Sequence, residues 1–210
     1  MRVLVVGGGG HAKVCIESLR DCGHEVVGAL TLDGAPADVL GVPVIGTDDD
    51  LGAHMSSCGA EAVFVAVGDN ESRRGLIERV ASGGWVLVSA VSRHAMVSPS
   101  VQLGEGVAVM AGAVVNADTL LARGAIVNSR ASVDHDCAVG DCAHVAPGAV
   151  VCGSVVIGDG ALVGVGAKVL PNRRIGAGAV VGGGALVADD VAASATVVGV
   201  PARDIEKGAR

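Results

Sequence analysis

The spacing of apolar positions along this chain changes near residue 90. Before that point, short apolar runs alternate with helical patterns. "RVLVV" (2–6) predicts a buried strand, "GGGG" (7–10) a turn, and residues 11–22 a helix. "EVVGALT" (25–31) and "VPVIG" (42–46) predict a second and a third strand. "AVFVAVG" (62–68) predicts a further strand, followed by the amphipathic helix "DNESRRGLIERVASGG" (69–84) and then "WVLVS" (85–89). Strands separated by helical patterns imply right-handed βαβ units and a small parallel sheet.

From Val91 onward the period is six. Every sixth residue from Val91 to Val187 is Val, Leu or Ile, seventeen positions without a slip. Four residues after each comes a small residue, with Arg173 as the break in the rule. Neither a 3.6-residue helix nor a period-two strand produces this pattern. A hexapeptide repeat does, and it marks a parallel β-helix. Each hexad supplies one short side of a triangular coil, so 18 residues complete a turn and seventeen hexads give about five and a half coils. Coils stack at the interstrand spacing of ~4.8 Å. The first-position aliphatics are expected to fill the interior and the fifth-position small residues to fit the corners.

The domains predicted are a βαβ subdomain over 1–88, a β-helix over 89–192 and a C-terminal segment over 193–210. Composition narrows what such a chain does. Fifteen Lys+Arg against 22 Asp+Glu give −7, which argues against a nucleic-acid or anionic-membrane surface. Phe64 and Trp85 are the two aromatics, so stacking platforms for single-stranded nucleic acid are absent. Mean hydropathy is +0.58, yet the longest uncharged stretch, 142–158, keeps the six-residue period and contains Pro147 and several glycines. The apolar run at the N-terminus is too short for a signal-peptide core, which points to a cytoplasmic protein with reduced thiols. The six cysteines include no C-x-x-C pair and read as small buried hydrophobes.

A regular β-helix specifies no function. A scaffold or ice-binding role remains one reading, although Thr119 stands alone where an ice-binding face needs ranks of threonine. The polar cluster "VDHDCAVGDCAHVAPGAVVCGS" (133–154) favours chemistry. His135 is third in its hexad and points outward near a corner, flanked by Asp134 and Asp136, which can fix its tautomer and raise its basicity. Gly153 falls 18 residues later, over His135. The missing side chain is expected to leave room for a ligand and to expose a backbone N–H, an arrangement suited to a general base beside an oxyanion donor. His144 lies on another side of the same chain's triangle and meets His135 around a corner or across a subunit interface. Zinc needs three or four converging ligands, and this spacing does not supply them. In the first half, Gly7-x-Gly9-x-x-Ala12 satisfies a dinucleotide fingerprint. Fewer than 90 residues are too few for a complete Rossmann domain. Its glycine turn still feeds a helix N-terminus that presents N–H groups to phosphate. Gly10, His11 and Lys13 line that turn, the latter two as sources of charge. Asp33 follows the second strand, placed either to contact a base or ribose or simply as a turn residue.

"GGGGHAKV", "HAMVSPSVQLGEG", "NSRASVDHDCAVGDCAHVAPGAVVCGSVVIGDGALVGVGAKV" and "VVGVPAR" together resemble the hexapeptide-repeat sugar acetyltransferases related to the sialic acid O-acetyltransferases. These include the bacterial enzymes that acetylate the 4-amino group of nucleotide-linked 4-amino-4,6-dideoxysugars, as in bacillosamine and perosamine synthesis. The resemblance implies an α/β Rossmann-like subdomain followed by a left-handed parallel β-helix, and a homotrimer with active sites between subunits. It implies acetyl-CoA as co-substrate, no metal, and a UDP- or GDP-linked amino sugar as acceptor, with O-acetylation of sialic acid or another sugar as the alternative. By resemblance His135 is the base and Asp136 its polarising partner. Asn128 lies near the sugar, and Gly10, His11, Lys13 and Asp33 line the nucleotide pocket. His144, Gly153, Ala161, Gly183 and Pro201 line the acetyl-CoA groove, where Gly153 offers its N–H to the thioester oxygen and "GVPAR" closes over CoA. Transfer is direct, and Cys152 is a bystander.

Overall fold

In the computed structural model, which describes residues 1–205, strand β1 (Arg2–Val6) is central and almost wholly apolar, with Val3 to Val6 no more than 1% exposed. A strand covered on both faces has no need to alternate. Helix α1 (Gly10–Asp21) follows the glycine turn and buries Ala12, Cys15, Ile16 and Leu19. Strand β2 (Glu25–Thr31) leads to a hairpin of β3 (Asp38–Val39) and β4 (Val42–Thr47), then to a 3-10 turn (Asp48–Asp50) and helix α2 (Leu51–Cys58). Strand β5 (Ala62–Val65), helix α3 (Asn70–Ser82) and strand β6 (Val86–Leu87) complete the sheet. Its order is β3-β4-β2-β1-β5-β6, parallel throughout except for the β3–β4 pair. The βαβ pattern read from the sequence is present. The hairpin and α2 are additions to it, because two-residue β3 and a helix that buries only Leu51 and Met55 leave too few apolar positions to show a period.

The chain divides into two compact units, Met1–Arg93 and His94–Arg210. The second is a left-handed parallel β-helix. Its three sides are columns of two-residue strands. Side I runs from Met96–Val97 through Ser132–Val133 to Leu186–Val187, side II from Gln102–Leu103 through Ala138–Val139 to Arg174–Ile175, and side III from Ala108–Val109 through His144–Val145 to Val180–Val181. Strands pair in parallel with the residue 18 positions on, as in Val115 with Val133 and Val133 with Val151. From Val109 to Val187 every first-position aliphatic is no more than 1% exposed. Leu103, in the first coil of the stack, is 43% exposed because it has a neighbouring coil on one side only.

The corners differ from the expectation. The fifth residue points straight into the interior, and the residue that turns the chain is the fourth, which adopts a left-handed conformation. It is glycine at 112, 124, 148 and 166, and a polar residue at Asp118, Arg130, Asp136 and Ser154. Most corners close with a hydrogen bond from the fifth residue's N–H to the second residue's carbonyl, as in Ala131 to Asn128 at 3.0 Å and Ala143 to Gly140 at 3.1 Å. Fifth residues ahead of side I are all alanine (95, 113, 131, 149, 167, 185), and those ahead of side III are alanine after Val107. Those at the corner from side I to side II are larger: Val101, Thr119, Cys137, Val155, Arg173 and Val191. At the far end Thr196–Val198 joins side III and pairs antiparallel with Arg203–Asp204. Residues 206–210, the last part of the segment expected to cover CoA, lie outside the described residues.

Candidate active site

His135 sits on the corner from side I to side II, in the turn between Ser132–Val133 and Ala138–Val139. Its side chain is 58% exposed, and Nδ1 lies 2.7 Å from Asp136 Oδ2. With the Nδ1 proton donated to the carboxylate, Nε2 carries the outward lone pair. Asp136 reaches the ring because it occupies the left-handed fourth position, at φ 58°. Asp134 Oδ1 accepts from the His135 N–H at 2.9 Å and from Asn116 Nδ2 at 2.8 Å. The hydrogen bond to Asp136 and then the charge of Asp134 raise the imidazole above its ordinary value. Bonds from Asn116 and the His135 amide hold Asp134 below the usual carboxylate range.

The expected gap over His135 is not open. A Cβ on Gly153 would lie 2.7 Å from His135 Cε1 and 2.8 Å from Nε2, so the imidazole itself fills the space that glycine leaves. Glycine at 153 is what allows the ring to pack against the next coil. Thr119, which the sequence offered only as an isolated threonine, is fully buried directly beneath this turn. Asn116 was also missed, although its spacing of 18 from Asp134 places the two on neighbouring rungs.

Asn128 is not beside His135. It begins the corner from side III to side I, and its Nδ2 lies 3.0 Å from Nε2 of His144 on side III. Its Oδ1 accepts from the Ser129 N–H at 2.7 Å. Within one chain, therefore, the residue expected at the sugar groups with the residue expected at the thioester, and both are on other parts of the triangle from His135. Ala161, fully buried, offers its carbonyl to the His144 N–H at 2.9 Å. Gly183 lies on the corner from side III to side I, and Pro201 is exposed in the loop after Val198.

In the first unit, Gly10 starts α1, and Lys13 is exposed on its first turn. His11 supplies no charge there near neutrality, contrary to the expectation: burial, then the neighbouring Arg73 charge, lowers its pKa to about 4. Arg73 is a buried cation that the sequence reading passed over. It ties the loop after β5 by donating to the carbonyls of Val67 and Gly68 at 3.0 and 2.9 Å and to Asn70 Oδ1 at 2.8 Å. His11 Nε2 and Thr31 Oγ1 are buried without a hydrogen-bond partner among the described residues. Asp33 is exposed, and its Oδ1 accepts from the Ala35 N–H at 3.1 Å, the geometry of a turn residue. Among the described residues no group of three or more His, Cys, Asp or Glu side chains gathers as for a metal, and no helix is long and apolar enough to cross a membrane. Cys15, Cys137 and Cys142 are buried as expected, whereas Cys22 is exposed and Cys58 and Cys152 are partly so.

Residues 2–80 match the family model of the PglD N-terminal domain. Across nearly its whole length the chain is similar to PerB from Caulobacter crescentus, solved in complex with CoA and GDP-perosamine. That match has 46% identity over 98% of each chain and a TM-score of 0.93. The chain belongs to the hexapeptide-repeat sugar N-acetyltransferase family. Another member, the acetyltransferase domain of PglB from Neisseria gonorrhoeae, solved with acetyl coenzyme A, is 38% identical over 97% of this chain and 98% of that one, with a TM-score of 0.89. An uncharacterized protein L142 of Acanthamoeba polyphaga mimivirus is 32% identical over 104 residues, half of this chain and 20% of that protein, so the chain spans about a fifth of its length. As sugar N-acetyltransferases, the solved members bind CoA or acetyl-CoA as co-substrate.

Proposed function

We propose that this chain transfers the acetyl group of acetyl-CoA to the 4-amino group of a GDP- or UDP-linked 4-amino-4,6-dideoxysugar, with His135 as general base. The observation that carries the reading is the His135–Asp136 pair, an imidazole bonded at Nδ1 and free to accept at Nε2, in a chain similar end to end to an enzyme solved with GDP-perosamine. That similarity favours GDP, and perosamine or a close relative, as the first acceptor to try.

The amine attacks the thioester carbonyl carbon as Nε2 of His135 takes its proton. The Asp136 carboxylate stabilises the imidazolium that results. The Gly153 N–H is the donor for the oxyanion, and collapse of the tetrahedral intermediate breaks the C–S bond, with His135 returning the proton to the CoA sulfur. Two buried polar atoms beside the glycine loop, His11 Nε2 and Thr31 Oγ1, mark that loop as the nucleotide end, with Gly10, Lys13 and Asp33 around it, since buried polar groups are rarely left unpaired. His144, Ala161, Gly183 and Pro201 are assigned to the acetyl-CoA groove and Asn128 to the sugar. Because His135 and the Asn128–His144 pair do not meet within one chain, the reading includes a homotrimer whose active sites each draw on two subunits. It places the reaction in the cytoplasm, where acetyl-CoA is available and the six thiols stay free.

The test is to incubate the protein with acetyl-CoA and GDP- or UDP-linked 4-amino-4,6-dideoxysugars, following thiol release and product mass. One acetylated nucleotide sugar is expected. His135→Ala loses most of kcat, while Cys152→Ala, beside Gly153, retains activity. Comparable loss in the cysteine variant would point to an acyl-enzyme and overturn the direct transfer. Failure with every amino sugar, together with acetylation of a hydroxyl acceptor, would replace this reading with O-acetylation.

A further inference from the structure

The turn that carries His135 is built differently from the ordinary corners of this β-helix. At those corners the fifth residue's N–H reaches the second residue's carbonyl directly, as in Ala149 to Ala146 and Ala161 to Gly158 at 3.1 and 3.2 Å. In the turn 134–137 a side chain from the coil below stands between the two groups. Thr119 Oγ1 donates to the Asp134 carbonyl at 2.7 Å and accepts from the Cys137 N–H at 3.2 Å. The arrangement repeats one rung up. The Cys137 thiol donates to the Cys152 carbonyl at 3.2 Å, and the Val155 N–H bonds the Cys137 sulfur, so the turn holding Gly153 is spanned in the same way. Both inserted residues are fifth-position residues of the one column that holds no alanine, and both are buried. Apart from Cys137 above it, Thr119 lies among aliphatic interior residues, where a hydroxyl adds nothing to packing that alanine or valine would not.

We propose that Thr119 is a positioning residue for the acetyl transfer: its hydroxyl, inserted into the turn 134–137, holds that turn open so that the His135 ring lies over Gly153 with its Nδ1 against Asp136. Cys137 supports the Gly153 turn in the same way. Asn116, from the same coil as Thr119, ties the outer edge of the turn through Asp134. The base and its oxyanion donor are then set by a two-rung ladder inside the coil. The assignment rests on His135 being the base, but the geometry it describes is testable without substrate.

Thr119→Ala is the informative variant, because the turns that close on themselves in the other two columns, such as those ending at Ala131, Ala143, Ala149 and Ala161, carry alanine at this position. The protein is expected to stay folded while the 134–137 turn closes and carries His135 off Gly153. Measured kcat falls about 10- to 100-fold, the loss typical of a reacting group misplaced by about 1 Å. KM for both substrates stays within about twofold, because no binding contact is removed. Thr119→Ser, which keeps the hydroxyl, recovers most of the loss. Asn116→Ala, on the exposed edge where folding is not at risk, gives a smaller fall in the same direction. The second readout is the NMR titration of His135, assigned by its absence in His135→Ala. The charged groups that act on this ring are Asp136 and Asp134. In Thr119→Ala the midpoint moves down toward the ordinary imidazole value as the bond to Asp136 loosens. An unchanged midpoint with an unchanged kcat overturns the assignment, as does a loss that serine fails to recover. If the wild type acetylates no amino sugar, the proposed function fails, yet the NMR midpoint still decides the role of Thr119 in holding the ring.

Discussion

His135 owes its basicity to the residue on either side of it. The bond to Asp136 contributes most to its raised pKa, followed by the charge of Asp134. In its proposed role as base His135 works only when neutral, so kcat/KM should be low in acid and climb to a plateau as pH rises through a midpoint above the ordinary imidazole value of about 6.5. Asp136→Asn removes the larger cause. The midpoint is expected to move down, and the plateau to fall, because a weaker base whose tautomer is no longer fixed accepts the amine proton less well. A pH–rate profile of the two proteins checks both, and an unmoved midpoint would show that Asp136 does not act on the base. The stability linkage runs the opposite way to activity. A raised folded-state pKa contributes stability that is present below the unfolded-state value and is lost as pH rises through the folded one. The enzyme therefore works in the range where this ion pair no longer adds to its stability.

At the scale of the element, two glycines at different corners of one coil separate what the corner needs from what the proposed site needs. Gly166 is the left-handed fourth residue of its hexad, at φ 65°, with open space where a Cβ would go. Gly166→Ala should cost about 1–2 kcal/mol through backbone strain alone, lower Tm by a few degrees, and leave kcat near wild type. Gly153 has no such backbone requirement, but its Cβ would meet the exposed, movable end of the His135 ring. Gly153→Ala should leave Tm almost unchanged and lower kcat by about tenfold or more, because the ring must swing away from its place. Thermal melts and turnover on the two variants test the pair, and matched losses of stability and activity in both would refute the separation. The elements themselves were largely legible because the β-helix repeats one demand, an aliphatic first residue, and Val91 to Val187 meet it every time. The position of His135 followed from that count. What the count could not give is the direction a side chain leans. Asn128 and His144 are 16 residues apart rather than 18, so their pairing is a diagonal contact that no register predicts. The role of Thr119 was hidden for a related reason. In the sequence Thr119 passes as one more small fifth-position residue until the turn above it is seen to lack its direct bond. In the first unit, α2 and β3 went unread because each buries too few residues to carry a period.

At the scale of the whole molecule, the triangular coil separates the residues assigned to the proposed chemistry. His135 stands on the corner from side I to side II, while His144 faces outward from side III and bonds Asn128 at the corner from side III to side I. In the proposed homotrimer, the corner of one subunit that carries His135 would be set against side III of the next, so that identical chains complete a site that none contains alone. The proposal makes a sharp prediction for mixed oligomers. His135→Ala and His144→Ala proteins, each weak by itself, are unfolded together in equal amounts and refolded, or co-expressed with distinguishable tags. In a random mixture about a quarter of the interfaces join an intact His135 from one subunit to an intact His144 from the other. Activity should rise well above the sum of the two parents toward about a quarter of wild type, and light scattering should give the mass of three chains. If each active site were instead contained in one subunit, mixing would restore nothing, because every chain in the mixture carries one of the two lesions.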